Sequence, residues 1–148
     1  MTIEEEIKQK KFISIYQKAV LNLIYTANWL VGKQHLFFKP YGITGQQFNV
    51  LRILKGQHTK AISAKEIKSR MLDKNSDISR LLDRLLKKNL IQKQNCENDR
   101  RASDILITTE GIELLKRISK QQTNLDHILL LSNEEAEQLS ILLDKSRG

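Results

Sequence analysis

Arg80, Arg84 and Lys87 recur at steps of four and three, with Ser76, Asp77 and Ser79 just ahead of them, so a helix over residues 76–88 carries these charges on one face. Arginine offers paired N–H donors that match guanine O6 and N7, and aspartate accepts from the cytosine amino group; such a face has the chemistry to read base edges in a DNA major groove. Ser76, Asp77, Ser79 and Arg80, nearest the amino-terminal end, are the candidates for base contact, and Arg84 and Lys87 complete the set facing the duplex. The plainer alternatives are that Asp77 serves the helix dipole and that Arg84 meets phosphate. A second group, Asp99, Arg100 and Arg101, lies in a polar turn. An extended arginine there would enter the adjacent minor groove, with Asp99 holding Arg101 in pose by a charge-assisted contact.

Other chemistries find little support. His35, His58 and His127 have neither the spacing nor the acidic partners of a zinc site, and there is no glycine-rich phosphate loop. Cys96, the single cysteine, stands outside any nucleophile motif and reads as a small strand residue; nothing in its neighbours signals the lowered pKa of a reactive thiol. No catalytic residue, metal or cofactor is expected. One cysteine also excludes an internal disulfide, which favours a reducing compartment. The charged start MTIEEEIKQKK and the lack of a run near the ~18 apolar residues of a membrane span make the expected location cytoplasmic, with no membrane partner.

The charge balance agrees with a phosphate-binding surface. Of the formal net charge of +8, residues 1–59 carry 8 basic and 3 acidic groups, residues 60–101 carry 12 and 6, and residues 102–148 carry 5 and 8. The basic middle is what counterion release from nucleic acid would require, and the acidic end is not part of it.

These groups need elements to position them. One proline and six glycines in 148 residues favour helices over a turn-rich sandwich. Phe12, Tyr16, Ala19, Leu23, Ala27 and Leu30, flanked by Ile13, Val20, Ile24 and Val31, predict a long helix from about Phe12 to Phe38. Its apolar face is wider than one packing partner covers, which suits a dimer interface or the central helix of a monomer. Lys39-Pro40-Tyr41-Gly42 breaks it. Thr44 with Gln47, and Ser63 with Glu66, have capping-box spacing and open two more helices, the second running to about Leu72. Ser76 then caps the helix of residues 76–88, Asn89 suits its left-handed end, and Leu90–Cys96 and Ser103–Thr108 read as a β-hairpin. A helix capped by Thr108 or Thr109 and a last one opened by Ser132-Asn-Glu-Glu135 complete the chain. The expected fold class is mainly α with a small β-hairpin wing. A helix-turn-helix followed at once by a hairpin makes a winged helix-turn-helix over about residues 44–108, its wing at about 90–108.

The stretch from Ser76 to Ile91, the tip Glu97-Asn-Asp-Arg-Arg-Ala102 and the following Ile107-Thr-Thr-Glu-Gly111 resemble the MarR family of bacterial transcriptional regulators. The resemblance extends to the Tyr41–Phe48 entry and the Ser132 cap; Asn89 stands where glycine is common in the family. It implies a homodimer joined by terminal helices, about residues 8–38 and 109–146, presenting two winged domains to a pseudo-palindrome of double-stranded DNA. It also carries the wing Asp-x-Arg pair onto Asp99 and Arg101, with Arg101 in the minor groove. Repression by promoter occlusion follows, with release by a small aromatic or lipophilic effector. Trp29, Phe37, Phe38 and Tyr41 would line the effector pocket or, as aromatics at helical spacing, belong to the core. The alternative function is a winged module for protein or RNA contacts.

Overall fold

The Ser14 hydroxyl accepts the backbone N–H of Gln17 at 3.1 Å and starts the longest helix at Ile15, three residues later than the apolar pattern alone suggests. In the computed structural model, which describes residues 1–96 and 99–148 and gives only the backbone path at 96 and 99–103, this helix is preceded by a short one. The elements in order are α1 (Ile3–Glu6), α2 (Ile15–Phe38), a 3-10 turn (Lys39–Tyr41), α3 (Gly45–Gly56), β1 (Ile62–Ser63), α4 (Ala64–Arg70) and α5 (Ile78–Lys87). They continue with β2 (Ile91–Cys96), β3 (Asp99–Ile107), α6 (Thr109–Ser119), α7 (Gln122–Asp126) and α8 (Asn133–Arg147).

Residues 8–14 therefore do not extend α2, as the apolar pattern predicts from Phe12 on. Lys8 sits at φ 53° and turns the chain so that α1 lies back along α2. Glu4 pairs with Lys18, the Tyr25 hydroxyl donates to Glu6, and Ile3 is buried.

Thr44, Ser63, Thr108 and Ser132 cap their helices as their types predict, the reciprocal capping box being complete at Thr44 and Ser132 and reduced to the serine half at Ser63. α4 stops at Arg70, short of Leu72, because the Leu72 N–H is taken by Asn49 Oδ1 at 2.9 Å. The end of α5 is a Schellman motif: Asn89, at φ 58°, donates to the Leu86 carbonyl at 3.0 Å, and Leu90 donates to the Leu85 carbonyl at 3.1 Å.

The sheet is antiparallel in the order β1-β3-β2, so the hairpin gains a third, two-residue strand that its own sequence does not announce. Ile62 pairs with Ile105 on one side of β3, and Ile91 with Ile107 on the other. β3 begins at Asp99, four residues before the predicted Ser103, and the register shifts between Asn95 and Cys96.

One core joins these elements. Phe38 from the end of α2, Val50, Leu51 and Leu54 from α3, Ile67 from α4, Leu81, Leu82 and Leu85 from α5, Ile105 and Ile107 from β3, and Leu114, Leu115 and Ile118 from α6 are all buried. Each such aliphatic side chain contributes about 1.5–3 kcal/mol relative to exposure, so the three buried in α6 fasten it to the winged unit. By contrast, Val20, Leu23, Ile24 and Val31 on α2 and Ile141 and Leu142 on α8 remain exposed. Ala19, Leu23, Ala27 and Leu30 of α2 and Leu139, Leu142 and Leu143 of α8 line an apolar groove of about 560 Å³. Among the described residues, no helix is long and apolar enough to cross a membrane.

Candidate nucleic-acid interface

The face of α5 that the core leaves free carries Ser79, Arg80, Asp83, Arg84 and Lys87, all exposed, while Leu81, Leu82 and Leu85 anchor the opposite side. The helix thus presents a cationic ridge on a backbone held by its own buried leucines.

Its first turn differs from the sequence reading at one position. The N-cap is Asp77, not Ser76: an Asp77 carboxylate oxygen accepts the Arg80 N–H at 3.2 Å. Ser76 is buried, its hydroxyl donating to the Asp73 carbonyl at 2.6 Å and its N–H reaching the same oxygen at 3.2 Å. With its one hydroxyl donor spent on a backbone acceptor and its side chain buried, Ser76 does not belong to the exposed face that α5 presents. Asp77 keeps an exposed carboxylate, whose second oxygen is 3.9 Å from Arg80 Nε.

Asp73 organises the turn ahead of α5. Besides its carbonyl contacts with Ser76, its carboxylate accepts the Asn75 N–H at 2.9 Å and the Gln46 side-chain amide at 3.2 Å. Type and spacing do not single out Lys65, Lys68 and Arg70. They lie exposed on α4, the first helix of the pair, where a docked helix-turn-helix crosses the phosphate backbone. The excess charge over residues 60–101 was the signal available for them.

On the wing, Asp99, Arg100 and Arg101 open β3; their side chains, like that of Cys96, lie outside the described residues. Of Trp29, Phe37, Phe38 and Tyr41, the last three pack in one aromatic cluster and Trp29 stands apart from it. Phe38 is 1 % exposed, with ring centroids of Phe37 and Phe48 at 5.0 and 4.6 Å, and Tyr41 packs on Phe37 at 5.9 Å. Phe38 is thus core. Trp29 stands nine positions before Phe38 along α2, about 13.5 Å by helical rise, with the Lys33 ammonium 5.7 Å from its ring centroid. Among the described residues, no group of three or more His, Cys, Asp or Glu side chains is placed to hold a metal ion.

Residues 43–103, from the entry of α3 into β3, match the model of the MarR family. Over 74 % of this chain and 68 % of its own length, the Escherichia coli HTH-type transcriptional regulator PapX is 30 % identical. The chain belongs to the MarR family. The transcriptional repressor MprA of Escherichia coli (strain K12) is 27 % identical over 88 % of this MarR-family chain and 76 % of its own. The solved S. aureus MepR in complex with DNA shares the fold, with a TM-score of 0.73 at 23 % identity over 90 % of this chain and 96 % of that one.

Proposed function

We propose that this MarR-family chain is a cytoplasmic transcriptional repressor that binds a pseudo-palindromic duplex site as a homodimer and acts by occupying a promoter, without catalysis. The observation that carries the reading is the exposed ridge of Arg80, Arg84 and Lys87 on a helix whose other face is core. A helix held in this way can enter a major groove without losing its packing. The names of PapX and MprA as regulators support it, as does the DNA held by the same fold in MepR.

The chain divides by task. Residues 44–108 with α6 form the winged unit, and α2 with α8 join the two copies. The exposed apolar side chains on α2 and α8 and the groove between them need a cover, and a second copy presents an identical face related by a two-fold axis. That axis makes the DNA site a palindrome with half-sites about one helical turn apart. Within the wing, Asp99 and Arg101 are assigned to the minor groove, with Arg101 as the inserted side chain.

Selection of bound sequences from a random duplex pool tests this function, followed by titration of the enriched site against scrambled DNA at several salt concentrations. The expected result is a palindrome bound by two copies, with affinity falling steeply as salt rises. Salt-sensitive binding with no enriched sequence contradicts a specific operator and leaves a basic duplex binder.

A further inference from the structure

Both ends of α5 are gripped from the first turns of α3, immediately after the chain leaves α2. At the leading end, Gln46 donates to Asp73 at 3.2 Å and Asn49 accepts from Leu72, fixing the turn that feeds α5. At the trailing end, the Lys88 ammonium donates to the Gly42 carbonyl and, at 3.2 Å, to Gln47 Oε1. Gln47 is 2 % exposed, and the same oxygen accepts the Thr44 N–H at 3.1 Å. Gly42, at φ 69°, ends the Lys39–Tyr41 turn that redirects the chain from α2 into α3. The lysine thus spans 46 positions to fasten the end of α5 to the corner where α2 passes into the winged unit.

We propose that Lys88 is a positioning residue: by tying the carboxyl end of α5 to the α2–α3 corner, it fixes the reading helix relative to the dimerisation helix, and so fixes the spacing of the two half-sites that one dimer accepts. The proposal rests on the DNA-binding function above. Adjacent lysines 87 and 88 look alike in sequence, yet their surroundings assign them different work. Lys87 stands on the free ridge, while the Lys88 ammonium is held by two neutral oxygen acceptors. A lysine committed in this way acts through the angle of α5 and not through phosphate.

The test measures binding of the parent, Lys88→Met and Lys88→Arg proteins to the selected operator and to versions with the half-sites moved one base pair closer or farther, at several salt concentrations. One base pair rotates a half-site by about 34° on a duplex of 10.5 base pairs per turn, which a rigid pair of helices resists. The parent is expected to favour its own spacing by about tenfold, or about 1.4 kcal/mol. Lys88→Met, which keeps the stem and removes the ammonium, is expected to reduce that preference below about threefold with an unchanged salt slope, while Lys88→Arg, which keeps the donors, restores most of it. Retention of the parental preference by Lys88→Met overturns the proposal. So does an equal loss at every spacing with a salt slope shallower by about one, the mark of a phosphate contact. A parent with no preferred site overturns the DNA reading and the proposal with it; a parent with a preferred site separates the two.

Discussion

Asp77 accepts the backbone N–H of Arg80 at 3.2 Å, and its second carboxylate oxygen lies 3.9 Å from Nε of the same arginine. One carboxylate thus starts the reading helix and stands beside its first guanidinium. Both side chains are about two-thirds exposed, so the ion pair contributes little and the cap is the larger effect.

Asp77→Ala is therefore expected to lower stability by about 1 kcal/mol, and Asp77→Asn, which can still cap, by much less. Urea unfolding of both variants checks this. Equal losses would mean that the carboxylate charge, and not the cap, carries the effect. If Asp77 only caps, Asp77→Asn also keeps the parental base preferences; a change confined to one base pair would show that Asp77 reads it.

Gly111, in the first turn of α6, gives a test in which two effects have opposite signs. Helix propensity alone makes alanine better than glycine by about 1 kcal/mol. A Cβ at this position would lie 2.4 Å from the Leu90 carbonyl oxygen and 2.6 Å from Ile107 Cγ1. That oxygen is fixed, since it also accepts the Thr108 N–H at 3.1 Å. The close approach wins, so Gly111→Ala is expected to destabilise by about 1–3 kcal/mol. A stabilised variant in thermal unfolding would show that α6 sits farther from Leu90 and Ile107, at the base of the hairpin, than these distances give.

The docking of α1 should respond to pH at both extremes. The Lys18 hydrogen bond, aided by the backbone, holds Glu4 below its ordinary carboxylate value, and the Glu6 carboxylate, with some desolvation, holds the Tyr25 phenol above its own. The Glu4 contribution is complete above the ordinary carboxylate range and is lost as pH falls through the lowered folded value. The Tyr25 contribution is complete below the ordinary phenol range and is lost as pH rises through the raised folded value. Trp29, the sole tryptophan, lines a hollow with Ile3, Glu6 and Tyr25. Its fluorescence is expected to be constant through neutral pH and to change in acid and in strong base. Glu4→Gln should remove the acid transition and leave the basic one; a pH-independent signal would contradict the docking.

What sequence reveals here is what short-range physics decides. The caps at Thr44, Ser63, Thr108 and Ser132 and the left-handed end at Asn89 are local and were legible. The choice between Ser76 and Asp77 was not, because both are good caps and the Asp73 carbonyl settles it by taking the serine hydroxyl. β1 is a strand only through its pairing with β3, a partner more than 40 residues away. The signal for α1 was present in Thr2 and Glu5, whose carboxylate accepts the Thr2 N–H at 2.8 Å, but the charged segment has no apolar stripe to draw attention to it. The aromatics of α2 could not be sorted by spacing, since the neighbouring turn sends Phe38 into the core and leaves Trp29 on the flank. The α5 ridge was legible because its buried leucines and exposed charges share one helical period.

The measurement that bears most directly on the central claim is the affinity of the parent and of Arg80→Ala for every single-base variant of the selected operator. If α5 lies in the major groove with Arg80 on a base edge, Arg80→Ala loses about 1–3 kcal/mol on the operator and loses discrimination at one base pair in each half-site, the two positions related by the dyad. An unchanged discrimination profile, whether or not overall affinity falls, would contradict α5 as the reading helix through Arg80.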